Sequence, residues 1–349
     1  MIGGWEVIFW DVGQGDATTI KLSDGSYVLI DAGPAMQKGN PLPGWFRRMG
    51  GPPIRLAVVT HSHIDHFGGL ISLCNEDGQR IDSIAVLKDA GLERQSQLLM
   101  ALQTRKSMGT ALRLIDKAQT LYEDAVLRLR IVHPKDITEK SKLPTDVNKT
   151  SMVILLERVD NPSGEPLIVF GGDAPLPAIR AACCGLAPCV LTGPHHGHPQ
   201  GTGKIGTQDY WRFFRDNLRP SNIFVSVGRN NQYKLPNVNY IKGAATAGAC
   251  VCCSQLATSC DPDRTADIFE GSAFSGVDKP AHSVQCRGAM RVYASAVGIT
   301  FDENQAEFIK TLASVVPMAK CRPVAALKSN SAAGDEMDSP SVASLERRV

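Results

Sequence analysis

The stretch Thr60-His61-Ser62-His63-Ile64-Asp65-His66-Phe67-Gly68-Gly69 decides how the rest of this chain is read. Three histidines and one aspartate fall within residues 61–66, behind the apolar run Leu56-Ala57-Val58-Val59 and ahead of a glycine pair. This is the layout of a buried strand ending in a loop that opens a helix. The loop would aim its imidazoles and carboxylate at one point, and those donors suit zinc or manganese with coordination positions left open for water. A solvated loop is the plain alternative, but it gives no reason for four ligand-type side chains to crowd together.

The rest of the chain must supply the frame. At 349 residues it can hold one large domain of about 250 to 300 residues or two small ones. An apolar content of 43% is enough for an ordinary core. The formal charge of +2 neither favours nor excludes a nucleic-acid partner, because a basic groove can sit on a near-neutral body. Met1-Ile2-Gly3-Gly4-Trp5 lacks the positively charged start of a signal peptide. No run of about 18 consecutive apolar residues suggests a membrane span. A cytoplasmic protein is therefore expected. In that reducing compartment the clusters Cys183, Cys184, Cys189 and Cys250, Cys252, Cys253, Cys260, Cys286 would be buried thiols or metal ligands rather than disulfides.

Along the chain, Glu6 to Trp10 reads as a strand, and Ala17–Leu22 with Tyr27–Ile30 as a hairpin turning at Asp24-Gly25. Residues 34–53, rich in proline and glycine, read as a loop. A helix is expected over Gly69–Cys74 and another over Glu93–Lys106, then strands near residues 84–87, 125–132, 152–156 and 167–170. Val190-Leu191-Thr192 leads into Gly193-Pro194-His195-His196-Gly197-His198, followed by a helix near 208–218 and a strand near 223–227. Several strands thus end at chemically loaded loops, as in an α/β enzyme. Beyond residue 240 the pattern weakens, and residues 325–349 have the composition of a disordered tail.

Three later groups add chemistry. Asp173, in Phe170-Gly171-Gly172-Asp173-Ala174, follows a buried-looking strand and could bridge two cations; as a helix N-cap before Pro175 it would be merely structural. In a turn, His195 and His196 can both face a site, one on metal and the other touching substrate or moving a proton. His198 is a weaker candidate, expected to be exposed, and His133 reads as a structural histidine at a strand end. Near the C-terminus, Cys253, Cys260, His282 and Cys286 could form a structural zinc site, although buried unpaired thiols explain them as well.

His61-x-His63-x-Asp65-His66 resembles the signature of the metallo-β-lactamase superfamily. The nearer likeness is to the metallo-β-lactamase-like hydrolase domain of the competence DNA-uptake protein ComEC. It is carried by Asp11-Val12-Gly13-Gln14-Gly15-Asp16, Leu29-Ile30-Asp31-Ala32-Gly33, Gly172-Asp173-Ala174, His195-His196-Gly197 and Ser226-Val227-Gly228. These phrases span residues 7 to about 236, and the resemblance implies an α/β fold, a four-layer αβ/βα sandwich. The hydrolase domain is expected over residues 1–300, where the Cys-rich segment 250–290 could be a small zinc-stabilised appendage, with 301–349 as a C-terminal helix and disordered tail. The resemblance also implies a bridging role for Asp173. Two departures stand out. Where many relatives place a midchain histidine ligand, this chain offers Asn148 and Ser151, which would leave one metal position poorer. Where the ComEC-type phrase has a histidine, Tyr233-Lys234-Leu235-Pro236 has Leu235.

The function expected from all this is metal-assisted hydrolysis. Two divalent ions, zinc or manganese, held by His61, His63, Asp65, His66, Asp173 and His196 would activate a water to the hydroxide that attacks, with Asp65 and His195 as the catalytic side chains. A phosphodiester substrate, nucleic acid included, is implied by the ComEC likeness, with Arg47, Arg48, Lys204, Arg212, Arg215, Arg229 and Lys234 as candidate phosphate contacts. A lactone, β-lactam or thioester hydrolase is the alternative, as is a metal-binding sensor or partner module without turnover.

Overall fold

Strand residues that are apolar at nearly every position must be covered on both faces, and this requirement builds the molecule. The computed structural model describes residues 4–139, 143–161, 163–198, 205–269, 279–280, 283–302, 304–316 and 319–321. The first sheet contains β1 (Trp5–Phe9), β2 (Ala17–Lys21), β3 (Tyr27–Ala32), β4 (Ile54–Val59), β5 (Ser83–Leu87) and β6 (Ala111–Ile115). The second contains β7 (Thr120–Glu123), β8 (Leu127–His133), β9 (Val153–Arg158), β10 (Ile168–Phe170), β11 (Val190–Thr192), β12 (Asn222–Val225) and β13 (Cys250–Cys253). The late strands β14 (Met290–Ser295) and β15 (Gly298–Phe301) return to the first sheet, β14 pairing antiparallel with β1.

Alternation of side chains along each strand sorts these residues into three apolar layers. Val28, Ile30, Leu56 and Val58 face inward and meet Leu129, Ile131, Ile154 and Phe170 of the other sheet. Leu29, Ala57 and Val59 face outward, against Phe46 of α1 (Leu42–Arg48), Phe67 and Leu70 of α2 (Ile64–Cys74) and Leu98 of α3 (Ser96–Ser107). On the far side Val153, Leu191 and Ile223 pack on α4 (Leu176–Cys183), α5 (Thr207–Asp216) and α6 (Val238–Thr246). The result is the expected αβ/βα sandwich. Each large side chain so buried contributes about 1.5–3 kcal/mol.

Some expectations are corrected. The helix after the histidine motif begins at Ile64 rather than Gly69, so Asp65 and His66 lie in its first turn with His63 as N-cap. The glycine pair is needed inside that helix: a Cβ on Gly69 would fall 2.1 Å from the Ala32 carbonyl oxygen. Residues 34–53 are not all loop, since Pro41 and Pro43 start α1, which buries Trp45 and Phe46. Of the Cys-rich segment, Cys250–Cys253 form β13, the edge strand of the second sheet. Beyond it comes α7 (Asn304–Val315). The tail expected over 325–349 lies outside the described residues.

Strands β3, β4 and β5 run parallel, as do β10, β11 and β12. Their carboxyl ends open toward one edge of the sandwich, where the Met152 amide donates to the Thr60 carbonyl at 3.0 Å and ties the two sheets together.

Candidate metal centre

Asp31, at the end of β3, holds the histidine motif in place. Its carboxylate accepts from the Thr60 amide at 2.8 Å, from the Thr60 hydroxyl at 2.7 Å and from His66 Nδ1 at 2.7 Å. A proton on His66 Nδ1 leaves Nε2 as a bare lone pair, 3.2 Å from Asp173 Oδ1. His196 is arranged in the same way. Its Nδ1 donates to the Ser226 carbonyl at 2.9 Å, and its Nε2 stands 3.5 Å from Asp65 Oδ2 and 3.6 Å from Asp173 Oδ1. His66 Nε2, His196 Nε2 and Asp173 Oδ1 are all buried without a hydrogen-bond partner.

Three acceptor atoms facing one another away from water would each cost about 1–3 kcal/mol if left so. Either protons or a cation must lie between them. In the protein alone, burial opposes charging of His66, but the Asp173 and Asp31 carboxylates outweigh it and hold its pKa well above the usual value. Burial likewise opposes charging of His196, and Asp16 and Asp173 overcome it. Burial would raise the Asp65 pKa, yet His196 and His66 keep it below the usual carboxylate range. A divalent cation satisfies the same atoms with their protons removed, and the donor set of imidazole and carboxylate fits one. The residues present therefore fit a metal.

Three triplets have ligand atoms within 4.8 Å of one another: His61, His66 and Asp173; Asp65, His66 and His196; Asp16, Asp173 and His196. The structure thus brings together five of the six expected ligands in these triplets. His63 joins at the rim, its Nδ1 3.0 Å from His61 Nε2. His61 reaches Asp173 Oδ2 at 3.5 Å, with Thr60 and Ser151 hydroxyls at 3.2 and 3.3 Å from its Nδ1. Burial first, and the charge of His66 next, hold the His61 pKa well below its usual value.

Asp173 is no helix N-cap: Pro175 holds that place on α4, and the Asp173 amide donates to Ser151 Oγ. His195 and His196 both adopt left-handed backbone angles, φ of 50° and 54°, a conformation costly outside glycine. That strain aims both rings inward; His195 Nε2 lies 3.6 Å from Asp173 Oδ2 and 3.4 Å from Asn148 Nδ2. His198, expected exposed, is half-buried and stacks on His195 with ring centroids 4.6 Å apart. His133 is structural, its Nε2 at 3.0 Å from the Lys149 carbonyl.

Asp16 and Asp31 are site residues that the sequence alone does not single out. Their phrases are legible in the sequence, but nothing in the spacing shows that a residue after a Gly-x-Gly turn and another at a strand end will meet residues 61–66 and 196. Several candidate phosphate contacts are committed elsewhere. The Arg229 guanidinium is buried and donates to the carbonyls of Leu256, Asp261, Pro262 and Arg264. Arg47 pairs with Glu76 and Arg215 with Asp216. Lys204 lies outside the described residues.

The centre floors an open cavity of about 440 Å³ bordered by His63, Asn148, His195, His198, Tyr233 and Leu235. A larger groove of about 790 Å³ over α1, α2 and α3 shares Ile64 with it but holds none of the clustered ligands. The chemistry therefore belongs to the smaller cavity. Among the described residues no helix is long and apolar enough to cross a membrane.

Residues 10–139 match the model of the metallo-beta-lactamase superfamily. No curated protein matches the chain. Among solved structures, Igni18, a metallo hydrolase from Ignicoccus hospitalis, is 17% identical over 70% of this chain and 94% of its own, with a TM-score of 0.45. Zinc-bound PqqB from Methylobacterium extorquens is 13% identical over 72% of this chain and 98% of its own, at 0.46. The short form of human tRNase Z is 16% identical over 64% of this chain and 92% of its own, at 0.39. The matched segment carries Asp16, Asp31 and the whole of the 61–66 motif.

Proposed function

We propose that this protein is a hydrolase that works with two divalent cations, held by His61, His63, Asp65, His66, Asp173 and His196, with Asp16 as a further ligand. The observation that carries the reading is the set of ligand triplets sharing His66, Asp173 and His196 beneath an open cavity. Cations bound there supply Lewis acidity and lower the pKa of a water from 15.7 toward about 7. The chain's own groups do the rest. Asp65, partly exposed at the cavity floor, orients the attacking water. His195, its pKa lowered by burial and its ring partly open to solvent, would take up the proton that the attacking water gives up and pass it to the leaving group. Asn148 steadies the His195 ring.

We assign the substrate to the phosphodiesters, nucleic acid among them. Paired cation positions suit in-line displacement, where the attacking and leaving oxygens both need charge stabilised. Exposed Lys234, next in the chain to Tyr233 at the rim, offers a phosphate contact, and the ComEC-type phrases agree with this assignment. A second reading, hydrolysis of a lactone, β-lactam or thioester, is favoured by one feature: the cavity wall carries Leu235 and Ile64 but no lysine or arginine among the described residues.

A panel of single-stranded DNA, RNA, bis-p-nitrophenyl phosphate and nitrocefin, each with Mn²⁺ or Zn²⁺, separates these readings. Phosphodiester cleavage that disappears in His66→Ala is the expected result. Turnover of nitrocefin alone would move the assignment to the second reading, and bound metal with no turnover on any substrate would leave a sensor module.

A further inference from the structure

Five of the ten cysteines lie between residues 250 and 286, and the metal centre uses none of them. Strand alternation divides the first three. Cys250 and Cys252 share one face of β13, their sulfurs 3.9 Å apart, and Gln305 Nε2 donates to both, at 3.8 and 3.3 Å. Cys253 points the other way, into a small cavity of about 20 Å³. Three more thiols line that cavity: Cys260 from the turn after β13, Cys286 ahead of β14, and Cys321 beyond α7. The space suits one water-sized sphere, and the other walls are mainly apolar, Leu256, Val251 and Leu312 among them.

Four thiols from separate segments around a hole of one-ion size make an unusual way to fill a core. Burial pushes the Cys253 and Cys286 pKa values well up, and their sulfur neighbours push them further. Those two thiols therefore stay protonated unless a cation takes the protons' place. Among the described residues the sulfurs do not yet form triplets within 4.8 Å, as the histidine–aspartate centre does. Binding requires the thiols to rotate inward. The fourth position that sequence spacing offers, His282, lies outside the described residues. Cys321 lines the cavity from far along the chain, where no spacing rule would find it.

We propose that Cys253, Cys260, Cys286 and Cys321 bind one zinc ion in a structural site that pins the segment after α7 to the edge of the second sheet. Zinc accepts four thiolates tetrahedrally at about 2.3 Å. Each thiol releases its proton to solvent on binding, so the site strengthens as pH rises.

Cobalt substitution tests this separately from the histidine–aspartate centre, which has no sulfur. Metal-stripped, reduced full-length protein titrated with Co²⁺ is expected to develop thiolate-to-cobalt charge-transfer absorption that rises to a plateau. Cys321→Ser and Cys260→Ser are expected to abolish it, Cys321→His to retain cobalt with altered absorption, and Cys250→Ser to leave it unchanged. Circular dichroism checks that each variant is folded. The proposal is overturned if the wild-type protein shows no such absorption, if the absorption survives intact in a folded Cys321→Ser variant, or if mass spectrometry of protein purified under reducing conditions finds a disulfide among the four.

Discussion

The two flanks of the metal centre are built unequally. On one flank His66 and His196 each have the ring nitrogen facing away from the centre engaged, by Asp31 at 2.7 Å and by the Ser226 carbonyl at 2.9 Å. Asp16 and Asp65 add carboxylates on the same flank. On the other flank His61 has only hydroxyls at 3.2 and 3.3 Å behind it, His63 stands at the rim, and Asn148 offers an amide where an imidazole would be the stronger ligand. The Asn148 side-chain amide oxygen is buried and without a partner. A ring held by a hydrogen-bonded partner presents its lone pair in one direction at little entropic cost, whereas an unbraced ring must be ordered when the ligand arrives. The braced flank should therefore bind first and more tightly.

The comparison can be broken most severely at Asp173, which both flanks share. Asp173→Asn is expected to remove both bound cations and lower kcat/KM by about 10³ or more, since metal stabilisation is worth several kcal/mol at 1.36 kcal/mol per decade. Elemental analysis beside steady-state kinetics checks it. Next comes the brace itself: Asp31→Ala should weaken the first cation by about 10- to 100-fold, read by calorimetric titration. His63→Ala should leave that first step nearly unchanged and weaken the second. Asn148→His should sharpen the comparison in the opposite direction by tightening the second step.

The smallest effect on metal binding is expected at Asp11, yet it carries a pH signature. Asp11 anchors the turn that carries Asp16, accepting from the Gly13 amide and from the Gln255 and Gln285 side chains. Burial, against those hydrogen bonds, raises its pKa from 3.8 to about 6. A raised carboxylate pKa means that the folded state holds a proton the unfolded state has lost. Stability therefore falls as pH climbs from about 4 through 6, by about 3 kcal/mol at 1.36 kcal/mol per pKa unit. Asp11→Asn should lack that slope when wild type and variant are unfolded by denaturant in chelator across this range.

Much of the architecture could be read in the chain because doubly buried strands are continuous apolar runs. Leu56 to Val59 and Ile168 to Phe170 needed no context, and the histidine motif named its own chemistry. What escaped was set by tertiary contact. Helix α1 hides among prolines because its reason for forming is the burial of Trp45 and Phe46. Asp16 and Asp31 acquire their site positions only when separate strands end at the same edge. The basic residues misled for the same reason: Arg229 is spent on backbone carbonyls that no local pattern displays.

The most direct test is a Mn²⁺ titration of metal-stripped protein by calorimetry, because this oxygen- and imidazole-preferring ion avoids the thiols. Two unequal steps are predicted, the tighter one lost in His196→Ala and the weaker one lost in His63→Ala. A single step, two equal steps, or a tight step that persists in His196→Ala would contradict the account.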